Sequence, residues 1–320
     1  MARIARRRYL VTGGCGFIGS HLVDALVNAG AAVRVLDDLS TGSRENLTVP
    51  CELMLGDVGD PDTLRAALEG VDGCFHLAAV ASVVRCNREW GQAHRLNQSA
   101  AVSLFDLARP AALDLPVVYA SSAAVYGRCR DLPLRETTPP APISAYGADK
   151  LGCELHARAG AEVHGLRTVG LRFFNVYGPR QDPSSPYSGV ISIFADRIAR
   201  GRPVTIFGDG QQTRDFVYVG DVATALARSM ELAHGLDPAI DGAPVLNVCT
   251  GRATTVAELA RTLGRVSGRP AALAFEAARE GDIRHSLGSP VRSQASLGLG
   301  PACSLTQGLE RTLSANLVPH

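Results

Sequence analysis

The fold is decided by the stretch Thr12-Gly13-Gly14-Cys15-Gly16-Phe17-Ile18-Gly19. It follows a short apolar run of strand character and opens a segment with helical periodicity. Glycines in that context make a tight turn, let the backbone approach a pyrophosphate, and set a helix N-terminus against its negative charge. The stretch therefore predicts a dinucleotide site at the end of the first strand. The cofactor contacts predicted within it are Gly13, Gly16, Phe17, Ile18 and Gly19.

Outward from this loop, short β-branched apolar runs alternate with helical patterns, as in a parallel, doubly wound sheet. The segment 20–29 carries its apolar residues on one face and ends before Gly30, which predicts the helix of a βαβ unit. The strands predicted in this half are residues 9–12, 32–37, 52–55, 73–77, 116–120 and 168–171.

After Tyr177 the pattern changes to short mixed elements with many glycines and prolines. We predict an α/β fold in which residues 1–177 form an NAD-binding, Rossmann-type doubly wound parallel sheet. Residues 178–320 are predicted to form mainly a smaller, interleaved C-terminal substrate-binding region. A segment near 210–250 is expected to return to the main domain, with residues 245–248 joining its sheet.

The composition is that of an ordinary globular protein, with 320 residues of which 46% are hydrophobic and 20% charged. A net charge of +1 gives no overall field for nucleic acid or membrane, so an anionic ligand must be held by local groups. The eight cysteines form no C-x-x-C pair and no zinc spacing. No apolar stretch has the length of a membrane span. We expect a cytoplasmic protein with no metal and with neither nucleic-acid nor membrane partners.

Two acidic positions specify how the dinucleotide is held. Asp37 ends the second predicted strand, where a carboxylate accepts hydrogen bonds from the adenosine ribose hydroxyls. With its neighbour Asp38 it would repel the additional phosphate of NADP, so NAD is the predicted cofactor. Asp57 and Val58 follow the third predicted strand and are expected near the adenine amine and ring. For Asp57 a plain turn acid is the alternative.

The chemistry is predicted at Tyr146 and Lys150, which stand four residues apart and hence on one helical face. Free tyrosine is a poor base at neutral pH because its pKa is about 10. A nearby ammonium favours the phenolate. Ser121 and Ser122 follow the fifth predicted strand, at the sheet edge where ligands bind. We therefore predict Ser122, Tyr146 and Lys150 as the catalytic residues, with Ser122 bonding the reacting oxygen.

These motifs resemble the extended short-chain dehydrogenase/reductase family, specifically its NAD-dependent UDP-hexose 4-epimerases, over nearly the whole chain. Further matching stretches are His76-Leu77-Ala78-Ala79, Asn97, Phe173-Phe174-Asn175-Val176-Tyr177-Gly178, Arg214-Asp215-Phe216 and Arg279-Glu280-Gly281-Asp282. The resemblance implies that residues 77–79 line the cofactor cleft and that Asn97 orders the active-site network.

The resemblance also implies how a UDP-sugar is held. Arg214 and Arg279 would clamp the diphosphate, which suits the planar guanidinium fork, and Asp282 would hold the uridine ribose. The substrate contacts implied are Ser82, Ser122, Asn175, Val190, Arg214, Arg279, Asp282 and Ser286. Members of this fold commonly pair through long helices that would include residues 149–158 here, so a homodimer is expected.

Relatives on this fold epimerise, dehydrate, decarboxylate or reduce, so the fold alone does not choose the reaction. In the family, dehydratases carry an acidic pair after the catalytic hydroxyl residue, and decarboxylases a glutamate. Ala123 and Ala124 stand there in this chain. A 4-keto intermediate would then receive its hydride back, which predicts C4 epimerisation. A nucleotide-sugar dehydratase or reductase of the same fold, and a dinucleotide-sensing protein without catalysis, are the alternatives.

Ser286 is the residue predicted to select the sugar. In the epimerases the position after the Arg-x-Gly-Asp stretch borders the C2 substituent, and a small residue leaves room for an N-acetyl group. The sequence thus predicts interconversion of UDP-GlcNAc and UDP-GalNAc, and of UDP-Glc and UDP-Gal as well. The rival substrate is UDP-glucuronate. Its carboxylate would need a basic contact, for which the candidates are Arg85, Arg180 and Arg284.

Overall fold

The computed structural model describes residues 4–182, 189–278 and 283–315, and a parallel sheet is at its centre. In these ranges the strands, in chain order, are β1 (Arg8–Thr12), β2 (Ala32–Asp37), β3 (Glu52–Leu55), β4 (Cys74–His76), β5 (Val117–Ser122), β6 (Thr168–Phe173), β7 (Asn175–Tyr177), β8 (Val204–Phe207), β9 (Thr213–Arg214), β10 (Phe216–Tyr218), β11 (Val245–Val248), β12 (Thr254–Thr255) and β13 (Leu273–Glu276). Seven of them pair in the order β11-β6-β5-β4-β1-β2-β3, every pair parallel.

The helices of the same ranges are α1 (Phe17–Asn28), α2 (Pro61–Leu68), α3 (Val83–Arg88), α4 (Trp90–His94), α5 (Ala100–Ala108), α6 (Ala145–His164), α7 (Val190–Ala199), α8 (Val219–Ala233), α9 (Pro238–Asp241), α10 (Val256–Val266), α11 (Val291–Leu297) and α12 (Leu305–Ala315). Within the described ranges, none has the length and apolar character that crossing a bilayer requires.

Both faces of the sheet are covered by helices, which confirms the predicted doubly wound Rossmann-type fold. Successive strand residues point to opposite faces, so Val11 packs toward α1 and α8, while Leu10 packs toward α2, α5 and α6. Burial on both faces is why the strands are continuous apolar runs. The first of the two cores includes Leu22, Val118 and Leu226, and the second includes Leu64, Leu104 and Ala157.

The predicted and observed bounds differ mainly at the ends of β5 and β6 and at the start of α1. The strands predicted at residues 32–37, 52–55 and 245–248 have the observed bounds. β5 and β6 run two residues further than predicted, because Ser122 and Phe173 still pair across the sheet. Helix α1 begins at Phe17, three residues before the predicted start, since the end of the glycine loop forms its first turn.

The chain after residue 177 builds a smaller region and also returns to the large one. Paired strands β8 and β13, with helices α7, α10 and α12, enclose a separate apolar core. Helix α8, however, packs against α1, and β11 forms the edge of the main sheet beside β6. The two parts are therefore interleaved, while the boundary at residue 177 stays a prediction.

Candidate functional site

The glycine loop brings two pieces of backbone into direct contact at the end of β1. Gly13 adopts the left-handed conformation (φ +69°), and a Cβ there would lie 2.8 Å from the amide nitrogen of Ala78. A Cβ at Gly19 would lie 2.1 Å from the carbonyl oxygen of Gly13. Glycine is therefore required by packing at both positions, and we call the turn that they form with the start of α1 the glycine cradle.

Helix α1 opens from this cradle with its first amides available. Gly16 is the N-cap residue and provides no side-chain hydrogen bond to the first turn. Phe17 and Ile18 form that turn, whose amides point away from the helix without an intrahelical acceptor. An uncapped helix N-terminus beside close-packed glycines fits the diphosphate of the predicted dinucleotide.

The carboxylate of Asp37 is anchored beside the glycine loop. Its Oδ2 accepts from the Cys15 amide at 2.9 Å, and its Oδ1 from the Leu39 amide at 2.9 Å. Burial raises the pKa of the Asp37 carboxyl, and these two bonds oppose that rise. Asp38 follows it and accepts from the amide and hydroxyl of Ser40. Two adjacent carboxylates at this edge fit NAD better than NADP, as predicted from the sequence.

Asp57 and Val58 lie after β3, where other contacts also hold them. Asp57 Oδ2 accepts from Arg95 at 2.8 Å, and its Oδ1 from the Gly59 amide at 2.7 Å. The Val58 side chain is buried in the core with Leu36. Their predicted contacts with adenine stay predictions, and the ion pair with Arg95 adds a structural role for Asp57 that the sequence did not indicate.

The loop after β4, which is predicted to line the cofactor cleft, is fixed from two directions. The Thr12 hydroxyl accepts from the amides of Leu77 and Ala78, each at 3.2 Å. Asn97, buried in a π-helical turn (Arg95–Ser99), accepts from the Val80 amide at 2.7 Å and donates to the Val80 carbonyl at 3.2 Å. Asn97 therefore shapes the cleft through this loop, with Ala79 held between the two anchored points.

His76 is a buried imidazole between the cofactor cleft and helix α6. Its Nδ1 bonds the Thr12 hydroxyl at 2.9 Å, and its Nε2 has no partner among the described residues. Burial, followed by the charge of Lys150, lowers the pKa of His76 to about 3. The imidazole is consequently neutral at physiological pH.

Helix α6 presents Tyr146 and Lys150 in its first two turns. Ser144 caps the helix by accepting from the Gly147 amide at 3.1 Å. The Lys150 ammonium lies 5.8 Å from the centre of the Tyr146 ring. Lys150 is only 3% exposed, and it makes no hydrogen bond to any residue in the described ranges. A buried ammonium without acceptors is costly, so hydroxyl groups of a bound ligand would be stabilising here.

Ser122 ends β5, and its hydroxyl accepts from the Ala124 amide at 3.1 Å, capping the short turn Ala123–Tyr126. The hydroxyl hydrogen remains available to a ligand oxygen. Helix α6 approaches this turn closely, since a Cβ at Gly147 would lie 2.7 Å from the Ala124 carbonyl oxygen. The predicted catalytic residues are thus carried by two elements in direct contact, and neither Ala123 nor Ala124 adds an acid or base.

Three predicted sugar-nucleotide contacts are brought together by backbone pairing. Arg214 lies on β9 next to Thr213, and the Ser286 amide donates to the Thr213 carbonyl at 3.1 Å. The Asn175 amide donates to the carbonyl of Asp215 at 3.0 Å.

The other predicted substrate contacts stand apart from this group. Ser82 caps α3 by accepting from the Arg85 amide, and Val190 begins α7. Arg279 and Asp282 lie outside the described residues.

Asp215 is a structural centre that the sequence prediction named only within the matching stretch Arg214-Asp215-Phe216, without a role. It is fully buried and accepts from the Thr250 amide and hydroxyl, and from the amides of Gly251 and Gly288. Burial raises the pKa of its carboxyl, and these bonds oppose the rise. The one signal available was an acid set directly before the apolar strand β10. Asp215 ties that strand to the segment that carries Ser286.

Comparison with known proteins gives consistent matches over most of the chain. The family model described as "NAD dependent epimerase/dehydratase family" matches residues 9–241. A putative UDP-glucose 4-epimerase of Methanocaldococcus jannaschii is 34% identical over 306 residues, covering 95% of this chain and 97% of that protein.

Two solved structures are similar throughout. The UDP-N-acetylglucosamine 4-epimerase of Methanobrevibacter ruminantium, in complex with UDP-N-acetylmuramic acid, superposes with a TM-score of 0.91 at 36% identity, covering 98% of this chain and 99% of that one. The UDP-glucose 4-epimerase of Thermus thermophilus, complexed with NAD, gives a TM-score of 0.85 at 34% identity, with 96% and 98% covered.

The cradle can be tested with Gly19→Ala. Because the new Cβ would meet backbone rather than a flexible side chain, the helix must move away from the loop, and we expect NAD affinity to fall about tenfold or more. Titration calorimetry with NAD measures this. Gly91→Ala is the matched control, since a Cβ there meets nothing within 4 Å. Equal affinity in both variants would show that the cradle is not the cofactor site.

Proposed function

Because the chain belongs to the NAD-dependent epimerase/dehydratase family, we propose that it is an NAD-dependent UDP-sugar 4-epimerase. The observation that carries the proposal is the contact between helix α6, with Tyr146 and Lys150, and the turn that Ser122 caps, where Ala123 and Ala124 directly follow the serine. Epimerisation needs one proton acceptor and a reversible oxidant, and this arrangement offers the acceptor without the residues that elimination would require.

The residues of the cleft fit the cofactor. The uncapped start of α1 and the glycine cradle would hold the diphosphate, and Asp37 with Asp38 would hold the ribose and exclude a further phosphate. NAD, when bound, supplies reversible hydride acceptance at the sugar C4. The buried Lys150 ammonium would gain acceptors from the cofactor's hydroxyl groups, which offsets its desolvation.

The protein's own residues would remove and return the proton of the sugar's C4 hydroxyl. Tyr146 Oη, as phenolate, takes the proton of the C4 hydroxyl while the Ser122 hydroxyl donates to the same oxygen. The charge of Lys150, behind the ring, stabilises the phenolate. After the 4-keto sugar has rotated, Tyr146 returns the proton to the oxygen from which it came. Arg214 and Asn175 would keep the nucleotide bound during that rotation, since backbone hydrogen bonds of Asp215 and Thr213 hold their segments beside that of Ser286.

For the sugar itself, we infer UDP-GlcNAc and UDP-GalNAc as substrates, together with UDP-Glc and UDP-Gal. Ser286 is half-buried and is joined by its backbone to the strand of Arg214, so its small side chain would border the sugar pocket. The likeness to an epimerase named for UDP-N-acetylglucosamine supports this assignment.

The glucuronate alternative is less well supported because its candidate arginines are already paired. Arg85 Nε contacts Glu89 at 2.7 Å, and Arg180 contacts Asp24 at 2.6 Å. Arg284 binds Asp209 through two hydrogen bonds of 2.7 and 2.8 Å. A C6 carboxylate would have to compete with an existing carboxylate at each of these three positions.

The activity is tested by incubating the purified protein with UDP-Glc, UDP-GlcNAc or UDP-GlcA without added reductant, and resolving the C4 epimers by chromatography. We expect conversion of the first two.

In Tyr146→Phe, turnover should fall about a thousandfold, with UDP-sugar binding nearly unchanged, because only the proton acceptor is lost. Tyr9→Phe, near the amino end of β1 and thus away from the carboxyl ends of the strands, is the control. Substantial turnover by Tyr146→Phe would refute the assigned base.

The sugar pocket is tested with Ser286→Tyr. The tyrosine ring should fill the space for an N-acetyl group and lower kcat/KM for UDP-GlcNAc about tenfold or more, while UDP-Glc turnover is kept. Ser267→Tyr, on the far side of the smaller region, is the control. Equal losses on both sugars would argue against a role for Ser286 in selecting the C2 substituent.

We further propose a homodimer that pairs α5 and α6. A groove of about 220 Å³ runs between their outer faces, lined in part by Val102, Phe105 and Val163, and Val163 is 71% exposed. Exposed apolar surface of this kind marks association sites.

All eight cysteines are free, which favours a reducing compartment, so a cytoplasmic location stays the prediction.

The dimer is tested by sedimentation velocity. Val163→Asp would bury a charge at the contact and should give monomers, whereas Val291→Asp, at a valine that is 66% exposed on α11, should remain dimeric. A monomeric wild-type protein, or a Val163→Asp protein that still sediments as a dimer, would exclude this interface.

A further inference from the structure

A buried ion pair lies directly behind the predicted catalytic residues. Glu154 stands one turn after Lys150 on α6, and Arg172 stands on β6. The Arg172 Nη2 atom lies 2.6 Å from Glu154 Oε2, and its Nε donates to Oε1 at 2.9 Å. Both side chains are only 6% exposed. The pair thus joins the catalytic helix to the sheet by a bidentate contact.

From this pair, two hydrogen bonds reach residues on either side of Ser122, one before it on β5 and one in the turn that it caps. Ser121 Oγ donates to Glu154 Oε1 at 2.5 Å, immediately before Ser122. Arg172 Nη1 donates to Tyr126 Oη at 2.8 Å, at the end of the turn, and the guanidinium lies 4.7 Å from the centre of the Tyr126 ring. The backbone of Ser122 is therefore held on both sides by the same ion pair.

A third connection leads to the sugar side. Tyr126 Oη donates to Asn247 Oδ1 at 2.7 Å, and Asn247 Nδ2 donates to the Leu134 carbonyl at 3.0 Å. The Leu134 amide donates in turn to the carbonyl of Leu287 at 2.8 Å, the residue after Ser286. A continuous chain of hydrogen bonds therefore joins α6 to the segment that borders the proposed sugar pocket.

Stability alone does not account for this arrangement. Burying two charges costs free energy, and apolar residues of similar volume are often as stabilising or more so. A fully satisfied polar network, in contrast, fixes one geometry. None of the side-chain polar atoms of Glu154, Arg172, Tyr126 or Asn247 is buried without a partner.

We propose that Glu154 and Arg172 are positioning residues, which set the distance of Ser122 from Tyr146 and Lys150 and align these groups with the Ser286 segment. This inference rests on the proposed function, since Ser122 and Tyr146 are the groups being positioned. Proton transfer requires close alignment of the reacting atoms, so a small displacement of Ser122 lowers the rate without changing how the nucleotide is anchored.

The main test replaces both charges at once with Glu154→Met/Arg172→Met, which leaves no unpaired buried charge. We expect an unfolding temperature near that of the wild type. We also expect kcat for UDP-GlcNAc to fall about tenfold or more at an unchanged KM, because alignment is lost and binding is not. Arg34→Met is the matched control, since Arg34 also pairs with a glutamate, Glu52, but on the far side of the sheet.

Two further measurements separate positioning from a merely structural role. Ser121→Ala leaves the ion pair intact and removes only its bond to the turn, so a smaller loss of kcat at constant KM and constant unfolding temperature is expected. Amide hydrogen exchange should become faster at Ala124 and Leu134 in the double variant, while helix α6 keeps its protection.

The outcomes that overturn the proposal are specific. A folded double variant with wild-type kcat, a raised KM at constant kcat, or faster exchange along the whole of α6 would each reduce the pair to a structural contact. Hydrogen exchange needs no turnover. If the wild-type protein epimerises no sugar, the proposed function fails, while local loosening at Ala124 and Leu134 would still support the network and unchanged exchange there would refute it.

Discussion

The close approach of backbone to backbone at Gly13 and Gly19 is the constraint on which the rest of the site depends. Because no Cβ intervenes, helix α1 starts directly from the end of β1 and leaves its first amides exposed to the cleft. The same contact brings the loop after β4 against the glycine turn, where the Thr12 hydroxyl holds it. The parallel sheet then brings the ends of β4 and β5, and with them Ser122, to the same edge.

A nearly neutral protein can hold a dianionic ligand here because its charges are organised locally. Many of its arginines in the described ranges already pair with a carboxylate, as Arg95 does with Asp57 and Arg284 with Asp209. The anion site proposed at α1 would use backbone dipoles instead of side-chain charge. The buried Lys150, with no hydrogen-bond acceptor among the described residues, is distinct from these paired groups.

Apolar periodicity was sufficient to predict the main sheet, including three strands with their observed bounds, because strands covered on both faces are continuous apolar runs. It could not predict the pairs β7–β10 and β9–β12, whose two or three residues have no period and whose partners are distant in sequence. Arg172 directly follows the strand predicted at residues 168–171, and its burial in β6 with a partner was not predicted. Sequence alone could not identify that partner as Glu154, since the pairing depends on how α6 packs on β6.

The return of the chain to the main sheet limits how such a protein could acquire a new specificity. Residues after 177 supply both the smaller region and the edge strand β11 with helix α8, which covers α1. Transplanting the whole C-terminal half from a relative would therefore expose Leu22 and Leu171 of the nucleotide-binding core unless the donor's edge strand and helix matched them. An exchange of segments that alters sugar preference would therefore have to leave β11 and α8 in place.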